Sequence, residues 1–122
     1  MTGSKKEERY VPGVADAIVP RRKVTDYLLS RTHRAGKGKA AFFLRFGFSV
    51  TRWEELAEDL RRHARENAVV ETGETAFGTR YVVDGPMRAP DGAVLRVRSV
   101  WFVERGETQL RFVTAHPLER RG

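Results

Sequence analysis

The chain has 122 residues, 40% of them hydrophobic and 32% charged, which suits one domain with a single core and is too short for two. No stretch approaches the ~18 uncharged apolar residues of a membrane span, and the absence of cysteine excludes disulfides and thiolate metal sites. The net charge of +7 is unevenly placed: residues 21–45 carry eight Lys or Arg against Asp26 alone, and the segments on either side are neutral.

A cationic focus of this kind attracts phosphate backbones and speeds association with them. The plainer alternative is a solvated basic surface with no dedicated partner. Residues 1–10 are polar, lack the apolar stretch of a signal peptide and read as a disordered leader. Residues 14–19 form a short apolar run that ends at Pro20, which suggests an edge strand or a packed arm.

Pro20 opens a helix expected over about residues 20–30, with Val24, Tyr27 and Leu28 at helical spacing. Residues 31–38 then read as a cationic loop containing Gly36 and Gly38. A second helix is expected over residues 37–46, with Ala40, Phe43 and Leu44 on one face and Gly47 as its stop. Thr51 and Glu54 have the spacing of a capping box for a third helix reaching about Asn67. Trp53, Leu56, Leu60 and Ala64 form its apolar stripe, Glu58 and Arg62 an i,i+4 pair, and His63 reads as a surface residue.

After Asn67 the periodicity turns from helical to alternating. Strands are expected over residues 69–75, 79–87, 94–104 and 109–115, with turns at residues 89–92 and 105–108. Short connections make neighbouring strands antiparallel. The expected fold is therefore α+β: N-terminal helices packed on a C-terminal antiparallel meander of about four strands. It occupies residues 11–118, with a basic tail over 119–122. Strict alternation puts Leu95, Val97, Ser99, Trp101 and Val103 on one face of the long strand. In the last strand Leu110, Phe112, Thr114 and His116 share a face, opposite Arg111, Val113 and Ala115. Apolar residues on both faces suggest that the second side of the sheet is partly covered.

Two groups of motifs carry a family likeness. The first is Lys23-Val-Thr-Asp-Tyr-Leu-Leu-Ser30, His33 and Gly36-Lys-Gly-Lys-Ala-Ala-Phe-Phe43. The second is Phe77-Gly-Thr-Arg-Tyr-Val-Val-Asp-Gly-Pro86, Ser99-Val-Trp-Phe-Val103 and Arg111-Phe-Val-Thr-Ala-His-Pro117. Together they resemble a bacterial family of unknown function with the pattern K-x-x-x-Y-L-L, H-x-x-G-x-x-K-A-x-x-F, G-x-x-Y-x-V, W-x-V and P-R-L-V-T-x-Y-P. The chain departs from it at Leu110, where the family shows Pro, and at His116, where it shows Tyr. More distantly the layout resembles toxin domains of the barnase–EndoU–colicin–RelE-like ribonuclease superfamily. That resemblance implies cleavage of RNA, often tRNA, without metal or other cofactor. It also implies a small cognate immunity or antitoxin-like partner. The lack of cysteine fits a bacterial cytoplasm, and the lack of an apolar span argues against a membrane.

Such cleavage needs a base for the 2′-OH, an acid for the leaving 5′ oxygen and cations for the charge that develops on phosphorus. His33 and Lys39 match the family's His and Lys, and Thr114 its Thr, which makes them the catalytic candidates. An imidazole among cations is held neutral, as a base must be. A Lys at a helix start sits where backbone N–H groups already favour phosphate. Arg31, Arg34, Lys37, Arg80, Arg98 and Arg111 are candidate RNA-phosphate contacts. Tyr81, the base-stacking candidate Trp101, and His116 complete the set. The alternative is a non-catalytic module of the same family that binds RNA or a small neighbouring protein. The three His are too scattered for a metal signature.

Overall fold

Four strands hydrogen-bond in chain order, β1 (Val69–Thr75), β2 (Gly78–Arg88), β3 (Val94–Glu104) and β4 (Leu110–Pro117), each antiparallel to the next. Three helices precede them, giving the expected α+β meander. The structure is a computed structural model that describes residues 9–32 and 37–118, with Lys37 by its backbone alone. Most of the expected leader, the loop 33–36 and the tail 119–122 lie outside the described residues. No helix among the described residues is long and apolar enough to cross a membrane.

The first helix, α1, begins at Pro20, whose φ of −63° suits a helix entry and whose missing N–H costs nothing there. Residues Arg21–Lys23 are α-helical and Val24–Leu28 form a π-helical turn, closed by Leu29 N–H donating to Val24 O at 2.8 Å. Wide turns of this kind are rare and recur at functional sites. Helix α2 (Lys37–Arg45) buries Ala40 and Phe43 and stops at Gly47, whose φ of 104° lies in the left-handed region. Helix α3 (Trp53–Glu66) buries Leu56, Ala57, Leu60 and Ala64 on one stripe.

These apolar faces meet one side of the sheet, where Val83, Met87, Leu95, Val97, Trp101, Leu110, Phe112 and Ala115 are buried. Trp101 and Phe112 pack edge to face with centroids 5.3 Å apart. Each fully buried Leu, Val or Phe of this layer contributes about 1.5–3 kcal/mol. The apolar run before Pro20 is a packed arm. Ile18 pairs in parallel with β4, its N–H donating to Leu110 O and its carbonyl accepting from Phe112 N–H, each at 2.9 Å. The arm blunts an edge that would otherwise offer unpaired backbone groups.

Four local expectations fail. The capping box does not form: a 3-10 turn, Val50–Arg52, leads into α3 with no side-chain cap, and Thr51 Oγ1 lies 3.3 Å from Ser49 Oγ instead. The expected Glu58–Arg62 pair is replaced by the i,i+3 pairs Arg61–Glu58 (3.2 Å) and Arg62–Asp59 (3.5 Å). His63 is not on the surface but 1% exposed, between α3 and the sheet. Its Nε2 lies 2.9 Å from Val97 O and 3.2 Å from Gly85 O, so it carries the proton, and Nδ1 accepts from Ser99 Oγ at 2.9 Å. Ser99 Oγ in turn accepts from Trp101 Nε1 at 2.8 Å, so every polar atom of this buried chain is used.

The fourth failure is strand parity in β4. Thr114 pairs with Val100 and Phe112 with Trp101, so Val113 is an extra residue, a β-bulge. Beyond it the faces exchange. Phe112 and Ala115 both point into the core, while Arg111, Thr114 and His116 share the opposite face with Arg98 and Val100. On that second face Val82 and Val100 are buried, as the two-sided apolar pattern suggested, and Arg80, Arg96 and Arg111 are exposed.

Candidate functional site

The bulge turns Thr114 out of the core side at the edge of the sheet, where α1 and α2 come close. Lys39, in the first turn of α2, is drawn back there by its neighbours Ala40 and Phe43, which anchor the helix in the core. Its Nζ donates to Thr114 Oγ1 at 3.1 Å and, by a short hydrogen bond, to Tyr27 Oη. Tyr27 Oη and Thr114 Oγ1 are 3.3 Å apart, closing a triangle of ammonium, phenol and hydroxyl. Lys39 Nζ also lies 4.7 Å from the centre of the Tyr27 ring.

Tyr27 reaches this point from the π turn of α1, and Lys23, one turn earlier on the same side, donates from Nζ to Val113 O at 3.0 Å. The bulged carbonyl is thereby satisfied by a side chain where the ladder leaves it unpaired. Burial acts to raise the pKa of Tyr27, but hydrogen bonds from Lys39 and Thr114 and the charges of Lys39 and Lys23 outweigh it. The net effect lowers the phenol below its ordinary value of 10.0. A cleft of about 740 Å³ opens beside the triangle, lined by Pro20, Arg22, Lys23, Asp26, Tyr27, Val113 and Thr114.

Of the catalytic candidates, then, Lys39 and Thr114 come together although 75 positions separate them. His33 and Arg34 lie outside the described residues, and the side chain of Lys37 does as well. Arg31 is exposed at the end of the described part of the loop. Arg80 forms an exposed pair with Glu71 at 3.4 Å. Arg98 holds Asp84 through two hydrogen bonds, at 2.7 and 2.9 Å, and its cross-strand neighbour on β4 is His116. Its guanidinium is therefore already engaged by a carboxylate. Arg111 is exposed on β4.

Tyr81 is half-buried on the core side, opposite Trp101. Trp101 is fully buried and hydrogen-bonded, so no face of its ring is left for a nucleobase, and its part is structural. His116 is half-buried and donates from Nδ1 to Pro117 O at 3.2 Å. Among the described residues no group of three or more His, Asp or Glu is placed to hold a metal ion.

The reading of the residues missed Tyr27 and Lys23. Both stand in the K-x-x-x-Y-L-L motif, but neither is singled out for chemistry there, and Tyr27 is otherwise read as part of an apolar helix stripe. The signal was its own hydroxyl, which a buried position must satisfy, and the four-residue spacing that puts Lys23 on the same helix face.

The family model described as "Domain of unknown function (DUF6883)" matches residues 10–119. Among curated proteins, none matches the sequence. A chain of the solved structure titled "Contact-dependent growth inhibition toxin - immunity protein complex from Klebsiella pneumoniae 342" is similar in fold. It is 21% identical, with a TM-score of 0.67, over 84% of this chain and 100% of that one.

Proposed function

We propose that this chain, which belongs to the family described as Domain of unknown function (DUF6883), is a toxin-type ribonuclease domain that cleaves RNA with its own side chains as the catalytic groups. The observation that carries the reading is the convergence of Lys39, Tyr27 and Thr114 on one point at the sheet edge. An ammonium with three donors, a phenol held toward its anion and a hydroxyl are what a phosphodiester requires within one small volume. The likeness in fold to a chain from a toxin–immunity complex supports the same class.

In this mechanism Tyr27 Oη removes the proton from the ribose 2′-OH. The 2′ oxygen bonds to phosphorus as the bond to the 5′ oxygen breaks, which leaves a 2′,3′-cyclic phosphate and a free 5′-OH. Lys39 Nζ and Thr114 Oγ1 donate to the non-bridging oxygens, where negative charge builds. The leaving oxygen takes a proton from Lys39 Nζ, an ammonium with three N–H donors, and Tyr27 takes the base role that the family likeness suggests for His33. Arg31, Arg34, Lys37 and Arg111 supply the wider positive field that holds the backbone, and tRNA is the substrate that best fits the toxin class.

A small cognate protein that covers the site is part of this proposal. It would present carboxylates to the groups that otherwise take phosphate. The test is incubation of the purified protein, freed of any partner, with total RNA and with tRNA in EDTA. Cleavage yielding cyclic phosphate ends is the expected result. Intact RNA after prolonged incubation with well-folded protein would overturn the reading in favour of a non-catalytic binding module.

A further inference from the structure

The second face of the sheet holds a feature that the triangle at its edge does not use. Phe102, on β3, lies in a cross-strand row between Arg80 on β2 and Arg111 on β4. Side chains on a strand normally stand away from the sheet. Phe102 instead leans along it toward Gly78: a Cβ placed on Gly78 would lie 2.6 and 2.8 Å from ring atoms Cζ and Cε2, and 2.1 Å from Val103 O. Gly78 therefore leaves the space into which the ring reclines, and its φ of 153° is one that residues with a Cβ rarely adopt. Phe102 is half-buried there, so part of its ring stays open to whatever lies on this face of the sheet.

We infer that Phe102 is a stacking platform for a base of single-stranded RNA, with Arg80 and Arg111 holding the phosphates on either side of it. The inference rests on the ribonuclease reading for its substrate and adds where the strand lies beyond the reacting phosphate. Phe102 is diagonal to Thr114, two residues along β3 from Val100, the residue that pairs with Thr114. Diagonal neighbours are ~7–8 Å apart, within the reach of one nucleotide. The surface thus runs on from the proposed reaction point.

The charges agree with a polyanion. Arg80 and Arg111 are both exposed, and the carboxylate that engages Arg80, Glu71, is itself exposed and 3.4 Å away, a weak contact that a phosphate can displace. Aromatic residues interleaved with guanidinium groups are how single strands are held without sequence preference. A duplex, whose bases are stacked on one another, has no face to offer Phe102.

The experiment measures binding of a 2′-O-methyl single-stranded oligonucleotide, which cannot be cleaved, by fluorescence anisotropy. Phe102→Leu keeps apolar bulk over Gly78 but removes the ring, and affinity is expected to fall about tenfold. Phe102→Trp restores it. Arg111→Gln weakens binding and lowers its salt dependence by about one counterion. A duplex of the same sequence is insensitive to Phe102→Leu. Circular dichroism of Phe102→Leu matching the parent ensures that the loss is one of contact. Equal affinity of the parent and folded Phe102→Leu would overturn the inference, as would loss of a protein partner from that variant with RNA binding intact. Binding that depends on Phe102 in a protein that cleaves nothing would leave the platform standing and remove the nuclease reading instead.

Discussion

Lys39 Nζ lies 3.1 Å from Thr114 Oγ1, so the cationic first half of the chain and the last strand of the sheet share one site. Two features of the backbone make that contact: a π turn that brings Tyr27 to the same point, and a bulge that turns Thr114 toward it. Both are local departures from regular structure, and both lie at the site.

If the triangle is catalytic, its members act as a unit. Lys39→Ala, Tyr27→Phe and Thr114→Ala should each slow RNA cleavage, the first two by about 10²-fold or more. Far-ultraviolet circular dichroism and thermal midpoints should stay close to the parent, because Lys39, Tyr27 and Thr114 are only half-buried. A Lys39→Ala protein that cleaves at the parent rate would remove Lys39 from the chemistry.

In the proposed mechanism the lowered pKa of Tyr27 would set the pH dependence of the rate. A base works in its deprotonated form, so cleavage should rise with pH and level off once the phenol has ionised, below the ordinary value of 10.0. The limb should vanish in Tyr27→Phe and move upward in Lys39→Gln, which removes the charge that favours the phenolate. An unchanged limb in Tyr27→Phe would assign the titration to another group.

His63 makes stability depend on acid. Burial lowers its pKa below 6.5, against the opposing effect of the Gly85 and Val97 carbonyls and of Asp84. In the window between that lowered value and 6.5 the unfolded chain holds a proton that the folded chain does not. Stability is therefore full above pH ~6.5 and is lost as pH falls below it. Thermal midpoints measured between pH 5 and 8 should show the slope, and His63→Gln should flatten it. His63→Ala should cost about 2–4 kcal/mol at pH 8, because it leaves a cavity and strands Ser99 and the two carbonyls. A midpoint that does not change over this range would mean that His63 titrates as it does in the unfolded chain.

Two glycines on β2 separate backbone clashes from side-chain clashes. Alanine at Gly78 would set its Cβ against the Val103 carbonyl, which cannot move away, so Gly78→Ala should cost more than ~3 kcal/mol. At Gly85 the obstacle is the side chain of Asn67, whose Nδ2 donates to His63 O at 2.9 Å and so caps α3. Gly85→Ala should cost about 1–2 kcal/mol through that displaced cap, and Asn67→Ala should remove the added cost. Chemical denaturation of the two single variants and the double variant checks this, since a strictly additive cycle would show that the side chains do not meet.

The expected α+β order is what the structure contains, and the expected long strand coincides with β3 (Val94–Glu104). The turn expected at residues 89–92 is closed by Ala89 N–H donating to Ala93 O at 2.8 Å, with Asp91 Oδ1 accepting from Ala93 N–H. Leu56, Leu60 and Ala64 lie in the core as their spacing required. All of these are short-range consequences of composition and periodicity, which act between residues close in the chain.

The site was legible only in part. Lys39 and Thr114 stood out as residues of a likeness, and Tyr27 did not, although it is in the same pattern. The buried place of His63 was hidden because its partners, Ser99, Val97 and Gly85, lie 22 to 36 positions away. Periodicity along α3 says nothing of them.

The alternation of apolar residues in the chain by itself determined that a meander forms and which face of β3 is covered, because neighbouring residues on a strand must point to opposite sides. Which way Thr114 points was decided only by tertiary structure. One extra residue at Val113 reverses every side chain after it, and whether that residue is accommodated depends on a partner strand and on a lysine from α1 that takes the carbonyl left over.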